Sequence, residues 1–371
     1  MPQKIRVLIV DDSALMRRVI KEILLTDSSF EVVGIAKNGE DAIVKSRELN
    51  PDVITMDINM PFMDGLTSMQ YILEEFPNIA VIVVSSLTQE GALKTFEALE
   101  LGAFDYVGKP SGTVSSNLYI VGKEIIEKIK EAYKYVQKRR RKQRIYENSI
   151  FKKRSDFLKN KIETVLDSKI TKNDDSSELS KVVVIGTSTG GPNTLMEVLP
   201  ALPSDLKAAV IVVQHMPASF TGQFAKRINS ATNIDFKEAE AGDIITNGKG
   251  FLAPGGFQLF VKSSSMRNGN LIRLAHQPKT LFMPSVDVTM ESVLECFGGK
   301  RTIGVLMTGM GSDGAESMVK IRKAGGITIA EDESTAIVFG MPREAIERGG
   351  AEIVVPSYRI AEEIIKAVER K

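Results

Sequence analysis

Short apolar runs alternating with amphipathic stretches, twice over, constrain the fold of this chain more than any other feature. In the first half the runs lie at 5–10, 32–35, 53–56, 80–84 and 104–107. Residues 15–25, 40–49, 65–76 and 92–99 between them place apolar side chains at helical spacing. Runs apolar throughout belong to strands buried on both faces, so the pattern predicts an α/β fold on a parallel, doubly wound sheet. A second α/β pattern begins at 182–185 and continues at 208–213, 303–308, 327–330 and 352–355. Glycine-rich sequence at 242–275 predicts hairpins inserted into that second sheet.

A chain of 371 residues exceeds one ordinary core. The expected division is a first domain at 1–125, a connector at 126–180 and a second domain at 181–371. The connector is rich in Lys, Arg and Glu, with K-R-R-R-K-Q-R at 138–144, and ends in T-K-N-D-D-S-S. It reads as a long charged helix followed by a flexible joint. The 48 basic residues balance 47 acidic ones, and no aromatics interleave with the basic run, so no nucleic-acid surface is expected. Nor does a helix-turn-helix with a basic recognition helix follow residue 180, which argues against a transcription factor. The single cysteine, Cys296, excludes an intramolecular disulfide and points to a reducing compartment. No apolar stretch nears the roughly 20 residues of a membrane span. The expectation is a cytoplasmic monomer, not embedded in a membrane.

In a parallel sheet ligands collect at the carboxyl ends of the strands. Asp11 and Asp12 close the first strand and Asp57 the third; Ser85 and Ser86 follow the fourth, and Lys109 the fifth. Three carboxylates on one edge repel each other unless a cation sits among them, and an oxygen-only set suits Mg²⁺. A carboxylate beside Mg²⁺ and an ammonium group suits phosphoryl transfer, with a Ser85 hydroxyl placed to meet the added phosphate.

In the second half G-T-S-T-G at 186–190 fits G-x-S-x-G after a strand, a turn that lifts the Ser188 hydroxyl out of the sheet. A serine nucleophile needs a base, and the chain has two histidines. His215 directly follows the next strand and shares the Ser188 edge; His276 lies in the glycine-rich insert. Asp313, just after the strand at 303–308, is the acid placed to orient the imidazole, with Asp287 its competitor. The order Ser, His, Asp differs from that of α/β-hydrolases. A rival pattern overlaps it: Gly309, Gly311 and Gly314 spell G-x-G-x-x-G, with Glu331 and Asp332 after another strand, as in a dinucleotide site. That pattern lies late in its domain, puts Asp313 inside the loop and leaves G-T-S-T-G-G unexplained.

Residues 1–125 resemble a response-regulator receiver, with V-D-D-S at 10–13, D-I-N-M-P at 57–61, D-G at 64–65 and G-K-P at 108–110. The resemblance implies a flavodoxin-like domain phosphorylated on Asp57 by a chemotaxis histidine kinase. It implies Mg²⁺ on Asp12 and Asp57 with Asp11 nearby, and Ser85 and Lys109 responding to the phosphate. Tyr106 is expected to move with Ser85.

Residues 181–370 resemble the catalytic domain of the CheB protein-glutamate methylesterases, through G-T-S-T-G-G-P, Q-H-M-P, A-P-G-G, P-S-V-D-V, T-G-M-G-S-D-G-A and V-F-G-M-P-R-E-A. That family implies a Ser188–His215–Asp313 triad, Thr189 beside it, and oxyanion stabilisation by the backbone near Met310. No catalytic-domain cofactor is implied. The substrates would be glutamyl methyl esters, and glutamine amides, on methyl-accepting chemotaxis receptors. The family more often has alanine at Thr187, and arginine where this chain has Met283. A receiver-controlled dinucleotide oxidoreductase and a non-catalytic phospho-dependent adaptor are the other readings.

Overall fold

The computed structural model describes residues 4–109, 115–153, 179–264 and 269–370. Its first domain runs β1 (Ile5–Val10), α1 (Ala14–Leu25), β2 (Phe30–Ala36), α2 (Gly39–Leu49), β3 (Val53–Asp57), α3 (Gly65–Glu75), β4 (Ala80–Ser85), α4 (Gln89–Glu100), β5 (Asp105–Gly108) and α5 (Ser115–Lys153). The five strands pair in parallel in the order β2-β1-β3-β4-β5. Strands β3, β4 and β5 are buried along their whole length. The side chains of Ser13, Asn38, Asp64 and Thr88 each accept an otherwise unpaired amide where α1 to α4 begin. Helices α1, α2 and α4 start within four residues of a strand end, while α3 follows β3 after the longer loop 58–64.

Helix α5 carries the first domain's core past residue 125. Ile125, Ile129, Ala132 and Val136, spaced four, three and four apart, are fully buried against Ile9, Ile82 and Val84. The flexible joint expected before Lys181 falls almost wholly on 154–178, outside the described residues.

The second domain runs β6 (Lys181–Thr187), α6 (Gly191–Val198), β7 (Ala208–Gln214), α7 (Ala218–Ala231), β8 (Asp235–Glu238), β9 (Lys249–Leu252), β10 (Gln258–Ser264), β11 (Gly269–Ala275), α8 (Val286–Phe297), β12 (Thr302–Leu306), α9 (Ala315–Lys323), β13 (Ile327–Glu331), α10 (Met341–Glu347), β14 (Ile353–Val355) and α11 (Ser357–Glu369). Seven parallel strands form one sheet in the order β14-β13-β12-β6-β7-β9-β8. The glycine-rich insert divides differently from expectation. Only β10 and β11 form a hairpin, an antiparallel sheet of their own, while β9 joins the main sheet beside β7. Its neighbour β8 is an edge strand of four residues with the polar sequence Asp235-Phe236-Lys237-Glu238. Gly250 of β9 has the ring of Phe236 where a Cβ would stand, 2.0 Å away, so glycine there marks packing as well as a turn.

The domains meet through α4, which lies on α6 and α7. Phe96 stacks on Phe224 at 5.2 Å and meets Phe220 edge-on at 6.0 Å, while Tyr106 stacks on Phe220 at 4.9 Å. Asn193 donates to Leu99 O at 3.3 Å, Arg227 pairs with Glu100, and Lys138 of α5 donates to Glu333 O at 2.5 Å. Each aromatic pair adds about 0.5–1.5 kcal/mol beyond area burial, so the rings dominate over the exposed ion pair.

Candidate active site

Ser188 sits where β6 ends and α6 begins. The turn is tight because Gly190 adopts φ +77°, with Ile337 side-chain atoms 2.7 Å from where its Cβ would be. A Cβ on Gly191 would lie 2.1 Å from Gln214 Oε1. The turn is pinned from two sides: Ser188 N donates to Thr308 O at 3.0 Å, and Gln214 Nε2 donates to Ser188 O at 2.9 Å. The same Gln214 amide donates to His215 O at 3.0 Å, and His215 N donates to Thr187 O at 3.1 Å. One buried side chain thus holds the backbones of both Ser188 and His215.

His215 Nε2 lies 2.8 Å from Asp313 Oδ2, with both side chains nearly buried. Asp313 also accepts from Ser285 Oγ at 2.8 Å, Val286 N at 2.7 Å and Asp287 N at 3.1 Å, at the start of α8. Burial pushes the Asp313 carboxyl up, but the His215 hydrogen bond and charge, helped by the Val286 and Asp287 amides, hold it below the ordinary carboxylate value. Phe282 stacks on the imidazole at 4.0 Å and 7°, fixing its plane. His215 Nδ1 is buried and has no hydrogen-bond partner among the described residues. With Nε2 committed to Asp313, Nδ1 is the nitrogen left to take a proton.

The β12–α9 loop closes the site. A Cβ on Gly309 would lie 2.3 Å from Met341 Sδ and 2.9 Å from Ser188 Cβ, so only glycine lets this loop, which continues into Met310, approach the serine. Gly309 O accepts from Gly340 N and Met341 N at 3.1 and 2.8 Å, and Gly309 N donates to Val338 O at 3.0 Å. Thr189 is buried, and its carbonyl accepts Thr308 Oγ1 at 2.9 Å.

The competing residues go elsewhere. Asp287 Oδ1 accepts Ser317 N at 2.9 Å, and exposed His276 stacks on Phe257 with Nδ1 3.2 Å from Gly256 O. The G-x-G-x-x-G loop holds the Asp313 carboxylate, and Glu331 is fully buried with Oε2 on Thr308 N at 2.8 Å. A carboxylate in the loop repels a pyrophosphate, and an inward-facing Glu331 cannot reach a ribose. Sequence reasoning passed over Gln214, Phe282, Ser285 and Thr308. Gln214 had a usable signal: it is a buried polar residue ending an otherwise apolar strand.

On the first domain, Asp11, Asp12 and Asp57 each offer an oxygen within 4.8 Å of the others. Lys109 Nζ lies 2.8 Å from Asp57 Oδ2 and 3.0 Å from Asp11 Oδ2. Burial raises the Asp57 carboxyl; Lys109 opposes this, and Asp11 and Asp12 add to it. Buried Asp11 Oδ2 meets the Lys109 ammonium and has no well-aligned hydrogen bond among the described residues. One ammonium therefore faces three carboxylates, a hard oxygen set that fits Mg²⁺. Ser85 Oγ donates to Gly91 O at 3.2 Å, on the same edge, and Tyr106 is buried against Phe220.

Residues 7–115 match the response regulator receiver domain model, and residues 183–364 match the CheB methylesterase model. A protein-glutamate methylesterase/protein-glutamine glutaminase of Caldanaerobacter subterraneus subsp. tengcongensis is 50% identical, over 99% of this chain and 98% of its own. One of that description from Syntrophomonas wolfei subsp. wolfei is 52% identical, over 99% of this chain and 100% of its own. Another, from Carboxydothermus hydrogenoformans, is 49% identical over 98% and 99%. The chain belongs to the protein-glutamate methylesterase/protein-glutamine glutaminase family. It is an enzyme, a carboxylic ester hydrolase of chemotaxis carrying a response-regulator receiver. As a protein-glutamate methylesterase it makes both the oxidoreductase and the adaptor readings unnecessary. No described helix is long and apolar enough to cross a membrane.

Proposed function

We propose that this methylesterase removes methyl groups from glutamyl γ-esters of methyl-accepting chemotaxis receptors by a Ser188–His215–Asp313 acyl-enzyme mechanism, under control of Asp57 phosphorylation. The observation that carries the reading is the 2.8 Å His215–Asp313 bond beside a serine turn tied to the same Gln214 amide. Nδ1 of His215 takes the Ser188 proton as Oγ attacks the γ-carbonyl carbon. Asp313 holds the tautomer with the proton on Nε2 and stabilises the imidazolium. Backbone N–H near Met310 meets the oxyanion, a contribution of about 2.7–4 kcal/mol per donor, and Thr189 follows the nucleophile beside the triad. The tetrahedral species collapses, and methanol leaves with the proton from Nδ1. Water, deprotonated by the same nitrogen, then hydrolyses the acyl-Ser188 and frees a glutamate carboxylate. A glutamine substrate follows the same path with ammonia as leaving group. Rapid quenching of turnover followed by mass spectrometry should find receptor glutamyl carbonyl attached to Ser188; turnover with a label on any other residue contradicts the reading.

In the receiver, Asp11, Asp12 and Asp57 would hold Mg²⁺, which when bound offsets negative charge on a phosphoryl group. Lys109 offers the second cation at 2.8 Å from Asp57 Oδ2, and Ser85 a hydroxyl to the added phosphate. A chemotaxis histidine kinase is the expected donor. The unphosphorylated receiver, with α4 seated on the helices that follow Ser188 and His215, obstructs the receptor. Phosphorylation shifts Ser85 and Tyr106 and loosens the Phe220 contact, while 126–180 keeps the domains of a cytoplasmic monomer tethered. Asp57→Asn should leave basal methanol release near wild type and abolish its stimulation by a small phosphodonor with Mg²⁺; stimulation that survives would place the phosphate elsewhere.

A further inference from the structure

Glu331 is a buried carboxyl that the esterase chemistry does not use, set one strand away from β12 at the end of β13. Both its oxygens are engaged: Oε2 accepts Thr308 N at 2.8 Å and Oε1 accepts Thr335 Oγ1 at 3.0 Å. Thr308 is the residue on which the nucleophile turn hangs. Its carbonyl accepts Ser188 N at 3.0 Å and Thr187 Oγ1 at 2.9 Å, and its hydroxyl donates to Thr189 O at 2.9 Å and accepts Val338 N at 2.9 Å. Thr308 also precedes Gly309 and Met310, so the peptide fixed by Glu331 leads directly into the loop that approaches Ser188.

We infer that Glu331 is a positioning residue of the esterase, which through Thr308 sets both the Ser188 turn and the Gly309–Met310 backbone in catalytic register. The inference rests on Ser188 being the nucleophile. Burying a carboxyl without a cation beside it is costly, and a fold that only needed to fill space between β12 and β13 would use an apolar side chain. What the carboxyl supplies is a fixed acceptor for Thr308 N, an amide with no strand partner at that position. Burial, with Glu197 and Asp332 nearby, pushes Glu331 up to about 7, so near neutral pH a proton is readily shared on the group. An amide side chain reproduces that protonated form: its oxygen accepts Thr308 N, and its nitrogen donates to Thr335 Oγ1, which turns its own proton toward Asp332 O, 3.5 Å away.

The test compares Glu331→Leu, Glu331→Met, Glu331→Gln, Thr308→Val and Ser188→Ala in the full-length enzyme on methylated receptor. Initial rates give kcat and KM, and melting and Asp57 phosphorylation are followed in parallel. Glu331→Leu leaves Thr308 N unsatisfied and should lower kcat about 10- to 100-fold, the scale of a misplaced reacting group, with KM within about threefold. Glu331→Gln should keep kcat within about threefold of wild type. Thr308→Val, isosteric but without the hydroxyl bridging Thr189 O and Val338 N, should lower kcat about tenfold at unchanged KM, and Glu331→Met, similar in length but without an oxygen acceptor, carries the Glu331 test if the leucine variant does not fold. A folded Glu331→Leu or Glu331→Met enzyme with wild-type kcat overturns the inference, as does a Gln variant as impaired as the Leu variant, while an unimpaired Thr308→Val removes the hydroxyl from the relay. Full activity in Ser188→Ala would instead overturn the serine mechanism on which the inference rests.

Discussion

Replacing Asp313 by asparagine lowers kcat about 10⁴-fold, the loss typical of a triad whose acid becomes an amide. The carboxylate accepts four donors, two on each oxygen: His215 Nε2 and Val286 N on Oδ2, Ser285 Oγ and Asp287 N on Oδ1. An asparagine must turn its NH₂ toward one of those pairs. Facing Oδ2's partners, it meets the Val286 amide and forces His215 to carry its proton on Nδ1, where the base must be free. Facing Oδ1's partners, Ser285 can rotate to accept, but the Asp287 amide cannot. Either way the imidazolium loses its counter-charge. The unsatisfied amide also costs about 1–3 kcal/mol of stability, so the variant should melt lower yet remain folded. Because Asp313 is held below its ordinary pKa, its contribution to stability is complete above the unfolded carboxylate value and fades as pH falls through the lower, folded one. The melting difference between wild type and variant should therefore shrink in acid. Steady-state rates with circular dichroism check both parts; kcat within tenfold of wild type would remove Asp313 from the mechanism.

Truncating Phe96 to alanine should release the catalytic domain without phosphate. Phe96 is 2% exposed and meets both Phe220 and Phe224, so it is the receiver side chain most committed to the other domain. Removing a buried phenyl ring costs about 3–5 kcal/mol, a weakening of docking by about 100-fold or more. Basal methanol release should rise to at least that of phosphorylated wild type, and a phosphodonor should add little. Labelling of Asp57 at the wild-type level would show that the receiver still folds. A labelled variant with wild-type basal rate would contradict obstruction by this interface.

Much of the architecture could be read from apolar runs because strands buried on both faces have few polar residues to disguise them. The exceptions are instructive. Strand β8 hid because an edge strand may carry Asp235, Lys237 and Glu238 without cost, and β9 because its Lys249-Gly250 start looks like a turn. Ser188, His215 and Asp313 stood out because each follows a strand on one edge. Thr308 and Glu331 did not, since their roles depend on β12 lying between β6 and β13, and strand order is not printed in a sequence. The glycines at 309, 311 and 314 imitate a dinucleotide fingerprint for a related reason. Gly309 admits Ser188 to the loop while Gly311 and Gly314 turn the backbone at φ +88° and +91°, and such a glycine leaves the same trace in a sequence whether the neighbour is a phosphate or a side chain.

Methanol release from methylated receptor membranes tests the central claim most directly, using wild type, Ser188→Ala and Asp57→Asn, each with and without Mg²⁺ and a small phosphodonor. The account predicts release from wild type that rises with the phosphodonor, release from Asp57→Asn that does not respond to it, and none above background from Ser188→Ala. Release by Ser188→Ala at the wild-type rate would contradict it.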